Sequence, residues 1–144
     1  MRLTRYTDYG LRVLLYLGSR PDDLCSIGEI SRGYGISQNH LMKVVNDLGR
    51  AGYVASTRGR SGGIRLGRKP EDINVGVAVR ELECDFDLVE CGACVIAPVC
   101  GLTGVLADAM RAFFSVLDRY TLADLLSNRD QLRSVFVVRT EQLT

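Results

Sequence analysis

Residues 26–49 read SIGEISRGYGISQNHLMKVVNDLG, and this stretch decides the fold. Ser26 and Glu29 form an S-x-x-E capping box, in which each side chain satisfies an orphan backbone N–H of a first helical turn. Gly33 and Gly35 are expected to end that helix, because glycine readily takes the left-handed conformation that stops one. Ser37 is placed to cap the next helix. In it Leu41, Val44, Val45 and Leu48 recur at i, i+3, i+4 and i+7, a single apolar stripe facing a core. Gly49 and Gly52 are expected to close it. Two short helices joined by a tight glycine-containing turn make a helix-turn-helix.

The next residues extend the motif. Tyr53-Val54-Ala55-Ser56-Thr57 reads as a strand and Arg58-Gly59-Arg60-Ser61-Gly62-Gly63 as a turn. Ile64-Arg65-Leu66 alternates apolar and charged, as a second strand does. A hairpin directly after the third helix is a wing. Upstream, a first helix is expected over about Asp8 to Gly18, with Val13, Leu14 and Leu17 inward, and Pro21-Asp22 marks a turn. Downstream, Asn74 is placed to cap a fourth helix reaching about Glu83. Pro98 argues against continuous helix in the segment beyond it. Leu102, Val105, Leu106, Ala109, Phe113, Val116 and Leu117 keep helical spacing in a long helix from about Leu102 to Tyr120. Thr121 caps a short helix, Leu122 to Leu126. Residues 127–144 read as a tail with one apolar patch, Val135 to Val138.

The expected fold is therefore mostly α with a small β-hairpin wing. Four segments result: a winged helix-turn-helix domain (1–83), a cysteine-rich loop (84–100), a long-helix region (101–126) and the C-terminal tail (127–144).

Composition agrees with a folded chain. The 144 residues are 47% hydrophobic, and a chain of this size buries roughly 70% of its unfolded surface. No apolar run approaches the ~18 residues a membrane span needs. The first apolar stretch is short and follows Asp8, unlike a signal peptide. A cytoplasmic protein is expected. The net charge of +1 conceals a polarity. Residues 1–80 hold 13 Lys/Arg against 7 Asp/Glu, a net +6; residues 81–144 hold 5 against 10, a net −5. A basic half of this kind suits a polyanion.

The polar start of the third helix, Ser37, Gln38, Asn39, His40 and Lys43, is where helix-turn-helix proteins reach base edges. Gln and Asn pair bidentately with adenine, and Lys meets guanine or phosphate. At the wing tip, glycines allow close backbone approach while Arg58 and Arg60 reach phosphate or the minor groove. Arg65, Arg68 and Lys69 lie close behind. Double-stranded DNA is the expected partner.

Four of the five cysteines crowd into one window, Cys84-x6-Cys91-x2-Cys94-x5-Cys100. In a cytosolic chain such density points to metal or redox chemistry rather than structural disulfides. Cys91-x2-Cys94 suits zinc or iron–sulfur equally, and spacing alone leaves both open. Cys25 reads as a packing residue. His40, the single histidine, is far in sequence from every cysteine. No phosphate loop or paired-carboxylate motif stands out, so no enzyme is expected.

Several stretches together resemble the NsrR/IscR/RirA family of winged-helix iron–sulfur regulators. They are Met1 to Thr4, Thr7 to Arg12, Tyr34 to Lys43, Ala51 to Val54, Arg58 to Gly67, Val79 to Glu83, Ala97 to Leu102 and Asp118 to Leu125. The resemblance runs to about residue 126 and is strongest to the nitric-oxide-sensitive repressor branch. It implies a homodimer seamed along the long helix, making that segment a dimerisation region. It also implies an iron–sulfur cluster per subunit, 4Fe–4S with 2Fe–2S as the alternative. Cys91, Cys94 and Cys100 match the family's ligand cysteines, and Asp8 matches a fourth ligand donated to the other subunit. Read without the family, Asp8 is a helix N-terminal acid favoured by the macrodipole. One departure stands out: the family's first two ligand cysteines are usually further apart than Cys91 and Cys94. Either the loop is shortened or Cys84 takes one place, and the match of Val89-Glu90-Cys91 favours the former. The resemblance implies a repressor that senses nitric oxide. The rivals are a sensor of iron or cluster status, a zinc-stabilised regulator, and a small thiol-redox or electron-transfer protein.

Overall fold

The computed structural model describes residues 1–143, and these form seven α-helices and one two-stranded hairpin. Helix α1 spans Arg5–Gly18, α2 Ile27–Tyr34 and α3 Gln38–Arg50; strands β1 (Val54–Thr57) and β2 (Gly63–Leu66) come next. Then come α4 (Val75–Leu82), α5 (Leu102–Leu117), α6 (Leu122–Leu125) and α7 (Arg129–Gln142). No helix among the described residues is long and apolar enough to cross a membrane.

Helix α1 begins three residues before the expected Asp8. Thr4 takes the cap position and its hydroxyl accepts from the Thr7 N–H, leaving Asp8 inside the first turn. The capping box of α2 forms as expected, Ser26 with Glu29. Gly33 does not end α2. It lies buried within the helix because the rings of Tyr16 and Phe136 press on it, each 3.2 Å from where a Cβ would sit. Gly35 alone supplies the left-handed stop, at φ 69°. Ser37 occupies the α3 cap position without a side-chain hydrogen bond. Leu41, Val44, Val45 and Leu48 are all buried, but α3 runs through Gly49 to Arg50, and Gly52 at φ 83° makes the turn.

The hairpin pairs antiparallel, Val54 with Leu66 through Thr57 with Gly63. Cys25 extends it on the far edge of β2, exchanging both backbone hydrogen bonds with Ile64 at 2.8 and 2.9 Å. Cys25 is accordingly a buried packing residue.

The principal core joins α1, α2, α3 and the hairpin, and also takes in Leu122, Leu126 and Phe136. The segment read as a tail thus forms α7, whose Phe136 ring sits 4.8 Å from Tyr16 and 5.0 Å from Tyr34. Phe136 is the one fully buried residue of this helix; Leu132 packs half-buried against the same core, while Val135, Val137 and Val138 face outward.

A second, smaller core packs α4 on α5 through Val75, Val79 and Phe114, with Leu3, Leu11 and Phe86 against it. Helix α5 ends at Leu117 rather than near Tyr120, because the chain must turn back onto α4. The Asn74 amide donates to the Asp118 carbonyl at 2.8 Å, and the Val75 N–H donates to the Tyr120 carbonyl at 2.9 Å. Arg80 closes this joint with two hydrogen bonds to the Asp118 carboxylate, 2.6 and 2.8 Å, and holds that carboxyl below the usual carboxylate range. Gly76 is required there, since a Cβ would lie 1.9 Å from an Asp118 oxygen.

Candidate functional site

Helix α3 turns its apolar stripe inward, and the polarity of the remaining positions is set by helical geometry. Ser37, Gln38, Asn39, His40 and Lys43 are all exposed. So are Met42 and Asn46, which continue the face occupied by Asn39 and Lys43. Those two were missed from sequence, although their i+3 and i+7 spacing from Asn39 was readable. Helix α1 braces this face from behind. The Tyr6 hydroxyl donates to the Asp47 carboxylate of α3. Lys43 Nζ lies 5.9 Å from the centre of the Tyr6 ring, and the rings of Tyr9 and His40 are 6.4 Å apart. Burial, followed by the bond to Asp47, pushes the Tyr6 phenol up to about 12.

The wing stands beside α3. Its tip folds so tightly that a Cβ on Gly62 would lie 2.2 Å from the Thr57 carbonyl oxygen, and Gly59 takes φ 107°. Arg58 and Arg60 project from this turn, exposed. Among the described residues no ion pair or side-chain hydrogen bond occupies either guanidinium. Arg68 differs: it donates to the Ala51 carbonyl at 2.5 Å and lies 4.2 Å over the Tyr53 ring. That arginine fastens the hairpin base. The cations at the tip and the exposed polar residues of α3 are of the kinds that meet phosphate and base edges.

The cysteine loop runs from the end of α4 to the start of α5. Phe86 anchors it, packing edge-on against Phe114 at 4.9 Å. Successive turns carry the chain onward: Cys94 N–H donates to the Cys91 carbonyl and Ala97 N–H to the Cys94 carbonyl, both at 3.2 Å. Pro98 lies in a one-turn 3-10 segment, Ala97–Val99. Cys91 and Cys100 are half-buried, Cys84 and Cys94 exposed, and all carry free thiols. Around them Val95 and Val99 are 93% and 87% exposed. A hollow of 340 Å³ lies between the loop and α5, lined by Phe86, Leu88, Val89, Cys91, Leu106 and Met110 among others.

The loop does not gather its ligands into a finished cage. Among the described residues no three His, Cys, Asp or Glu side chains converge as a metal group. Asp8 is engaged otherwise, accepting from Arg12 Nε at 2.9 Å within its own helix. The donor set still fits an iron–sulfur group: three free thiols stand within ten residues of one another, on turns that no longer-range pairing locks. Cys84 lies close enough to Tyr6 to add the smallest contribution to the rise of its phenol.

Helix α5 leaves much of its apolar stripe in the open. Only Phe114 is buried, whereas Leu102, Val105 and Val116 are exposed, Val105 at 63%.

Known proteins agree with this architecture. Residues 3–128 match the family described as Rrf2, iron-dependent transcriptional regulator. The HTH-type transcriptional regulator NsrR of Bacillus subtilis (strain 168) is 52% identical over 145 residues, covering 96% of this chain and 99% of that protein. Among solved structures, IscR of T. potens superposes with a TM-score of 0.73 at 29% identity, over 89% of this chain and 88% of that one. CymR, the global cysteine regulator of B. subtilis, gives 0.69 at 30% identity, over 89% and 98%.

Proposed function

Because the chain belongs to the Rrf2 family of transcriptional regulators, we propose that it is a homodimeric repressor that releases operator DNA in response to nitric oxide. The observation that carries the reading is the pairing of a free basic wing and open reading helix with a loop of free thiols. Residues 1–83 supply the DNA-binding unit. Gln38, Asn39, His40 and Lys43 face bases and phosphates, Ser37 sits at the helix mouth, and Arg58 and Arg60 hold the backbone. The exposed stripe of α5 is the seam between copies, since a solvated row of Leu and Val needs a partner surface. Dimeric helix-turn-helix proteins place their reading helices one DNA turn apart, roughly 34 Å. The reading sets the protein in the cytoplasm and assigns it no reaction.

Cys91, Cys94 and Cys100 are the residues that hold an iron–sulfur group, with Asp8 of the partner subunit completing the set. When bound, that group supplies iron able to take up a small neutral diatomic molecule. Asp8 is what makes the arrangement responsive. A carboxylate is a harder donor than a thiolate and the more readily exchanged, and Arg12 stands ready to receive it at 2.9 Å within its own helix. With Asp8 held by Arg12 instead, one subunit's α1 would no longer be tied to the other's loop. Such a change would shift the population between two arrangements of the dimer that angle the reading helices differently.

The test is an anaerobic titration of iron-loaded protein bound to operator DNA. Nitric oxide at a few equivalents per chain should release the DNA, while chelation of iron acts more slowly. Complexes that survive nitric oxide but dissociate promptly on iron removal would favour the second reading, a sensor of iron supply, to which the family description points.

A further inference from the structure

Glu83 is 7% exposed and forms no ion pair among the described residues. An isolated buried carboxylate is costly unless hydrogen bonds satisfy it. Here three do, all from the far end of the sequence. One oxygen accepts from the Thr4 N–H at 2.9 Å, the Thr4 hydroxyl at 3.1 Å and the Thr7 hydroxyl at 2.7 Å. Thr4 is the cap of α1, and Glu83 is the residue that ends α4 and precedes Cys84. One carboxylate therefore ties the start of the reading-helix brace to the start of the cysteine loop.

The joint has little slack. One turn along α1, Gly10 abuts Leu82 so closely that a Cβ would lie 2.7 Å from a Leu82 methyl carbon. From the clamped turn the path continues to α3, since Tyr6, between Thr4 and Thr7, donates to Asp47 and lies under Lys43. These contacts form an unbroken physical chain: loop, Glu83, Thr4 and Thr7, Tyr6, Asp47, reading helix.

We propose that Glu83 and Tyr6 are positioning residues of an intrasubunit relay that couples the cysteine loop to the reading helix. The proposal rests on the proposed sensor function for the signal that moves the loop, but its geometry is present in a single chain. Coupling energies are carried by such packed and hydrogen-bonded elements, and they require direct coupling measurements. The relay makes α1 move with the loop. Aspartate exchange between subunits is then not the sole route by which the loop's state reaches DNA.

Two measurements test this. The first uses hydrogen exchange on metal-free protein, wild type and Glu83→Gln. The variant keeps the side chain's shape but gives up its charge. Exchange should quicken at Thr4 to Thr7 and also in α3 around Lys43 to Asp47. Acceleration confined to α1 would overturn the relay. The second compares operator affinity of iron-loaded and metal-free protein. The loaded-to-free affinity ratio should fall by roughly 3- to 10-fold in Glu83→Gln and in Tyr6→Phe. Because the residues act in series, the double variant should lose no more than the larger single loss. Unchanged ratios, or losses that multiply, would also overturn it. If Glu83→Gln does not fold, Thr7→Val removes the shortest of the three bonds and serves in both measurements. A wild-type ratio of one would refute the proposed sensor function, while the exchange experiment would still decide the relay.

Discussion

Replacing Phe136 with alanine should destabilise the whole chain, although the residue lies beyond every element of the winged helix. Its ring is 6% exposed. It fills a pocket walled by Tyr16 at 4.8 Å and Tyr34 at 5.0 Å, over the bare backbone of Gly33. Truncating a buried Phe costs about 3–5 kcal/mol, combining lost transfer energy with the cavity left behind. The two ring pairs, each about 0.5–1.5 kcal/mol beyond their area, favour the upper part of that range. The pocket resists collapse because its walls belong to α1 and α2, which the principal core holds in place. At this chain length the loss corresponds to a fall in Tm of roughly 10–15 °C. Urea unfolding followed by circular dichroism would measure it, with the midpoint falling at constant m. Val137→Ala, on the exposed side of the same helix, should stay within about 0.5 kcal/mol. A Phe136→Ala midpoint no lower than that of Val137→Ala would refute the claim that α7 is part of the core.

Other expectations concern the thiols, the DNA surface and the seam. Burial, aided by nearby Glu29, lifts the Cys25 thiol from 9.0 to about 11. The folded state therefore favours the neutral thiol, and this contribution to stability is intact below pH 9 and lost as pH rises towards 11. A thiol reagent at neutral pH should titrate four of the five cysteines of native metal-free protein and the fifth only on unfolding; five rapid equivalents would contradict the burial. Lys43→Ala and Arg60→Ala should each weaken operator binding, and a dimer neutralising on the order of 8 phosphates gives a log–log salt slope of about −7. A slope near zero, or unchanged binding in both variants, would remove α3 and the wing from the interface. Val105→Glu places a charge in the α5 stripe and should shift sedimentation towards monomer, whereas an unaltered dimer would move the seam elsewhere.

The winged helix was legible because its signals are local. A capping box, one apolar stripe in α3 and a Gly-Arg turn between alternating strands each declare themselves within a few residues. Misreadings arose where tertiary contacts override local preference. Gly33 reads as a stop but serves as a flat bed for Phe136 and Tyr16. The segment from 127 lacks a clear cap or stripe, because one aromatic bears most of its burial. Thr4 carries no capping-box acid three residues on, because the acid that accepts from its N–H is Glu83, far along the chain. The cysteine cluster was visible as a count and a spacing. Spacing carries no information on where a loop directs its thiols, and the single chain leaves Cys91, Cys94 and Cys100 unassembled, with Asp8 paired to Arg12.

The central claim is that Cys91, Cys94 and Cys100, and not Cys84, hold an iron–sulfur group on a DNA-binding dimer. The most direct measurement is the iron and sulfide content and visible spectrum of anaerobically prepared wild type beside single alanine variants of the four cysteines. The account predicts coloured wild type and coloured Cys84→Ala, with colour lost in the other three. Colourless wild type carrying zinc, or iron absorbance kept by Cys91→Ala and lost by Cys84→Ala, would contradict it.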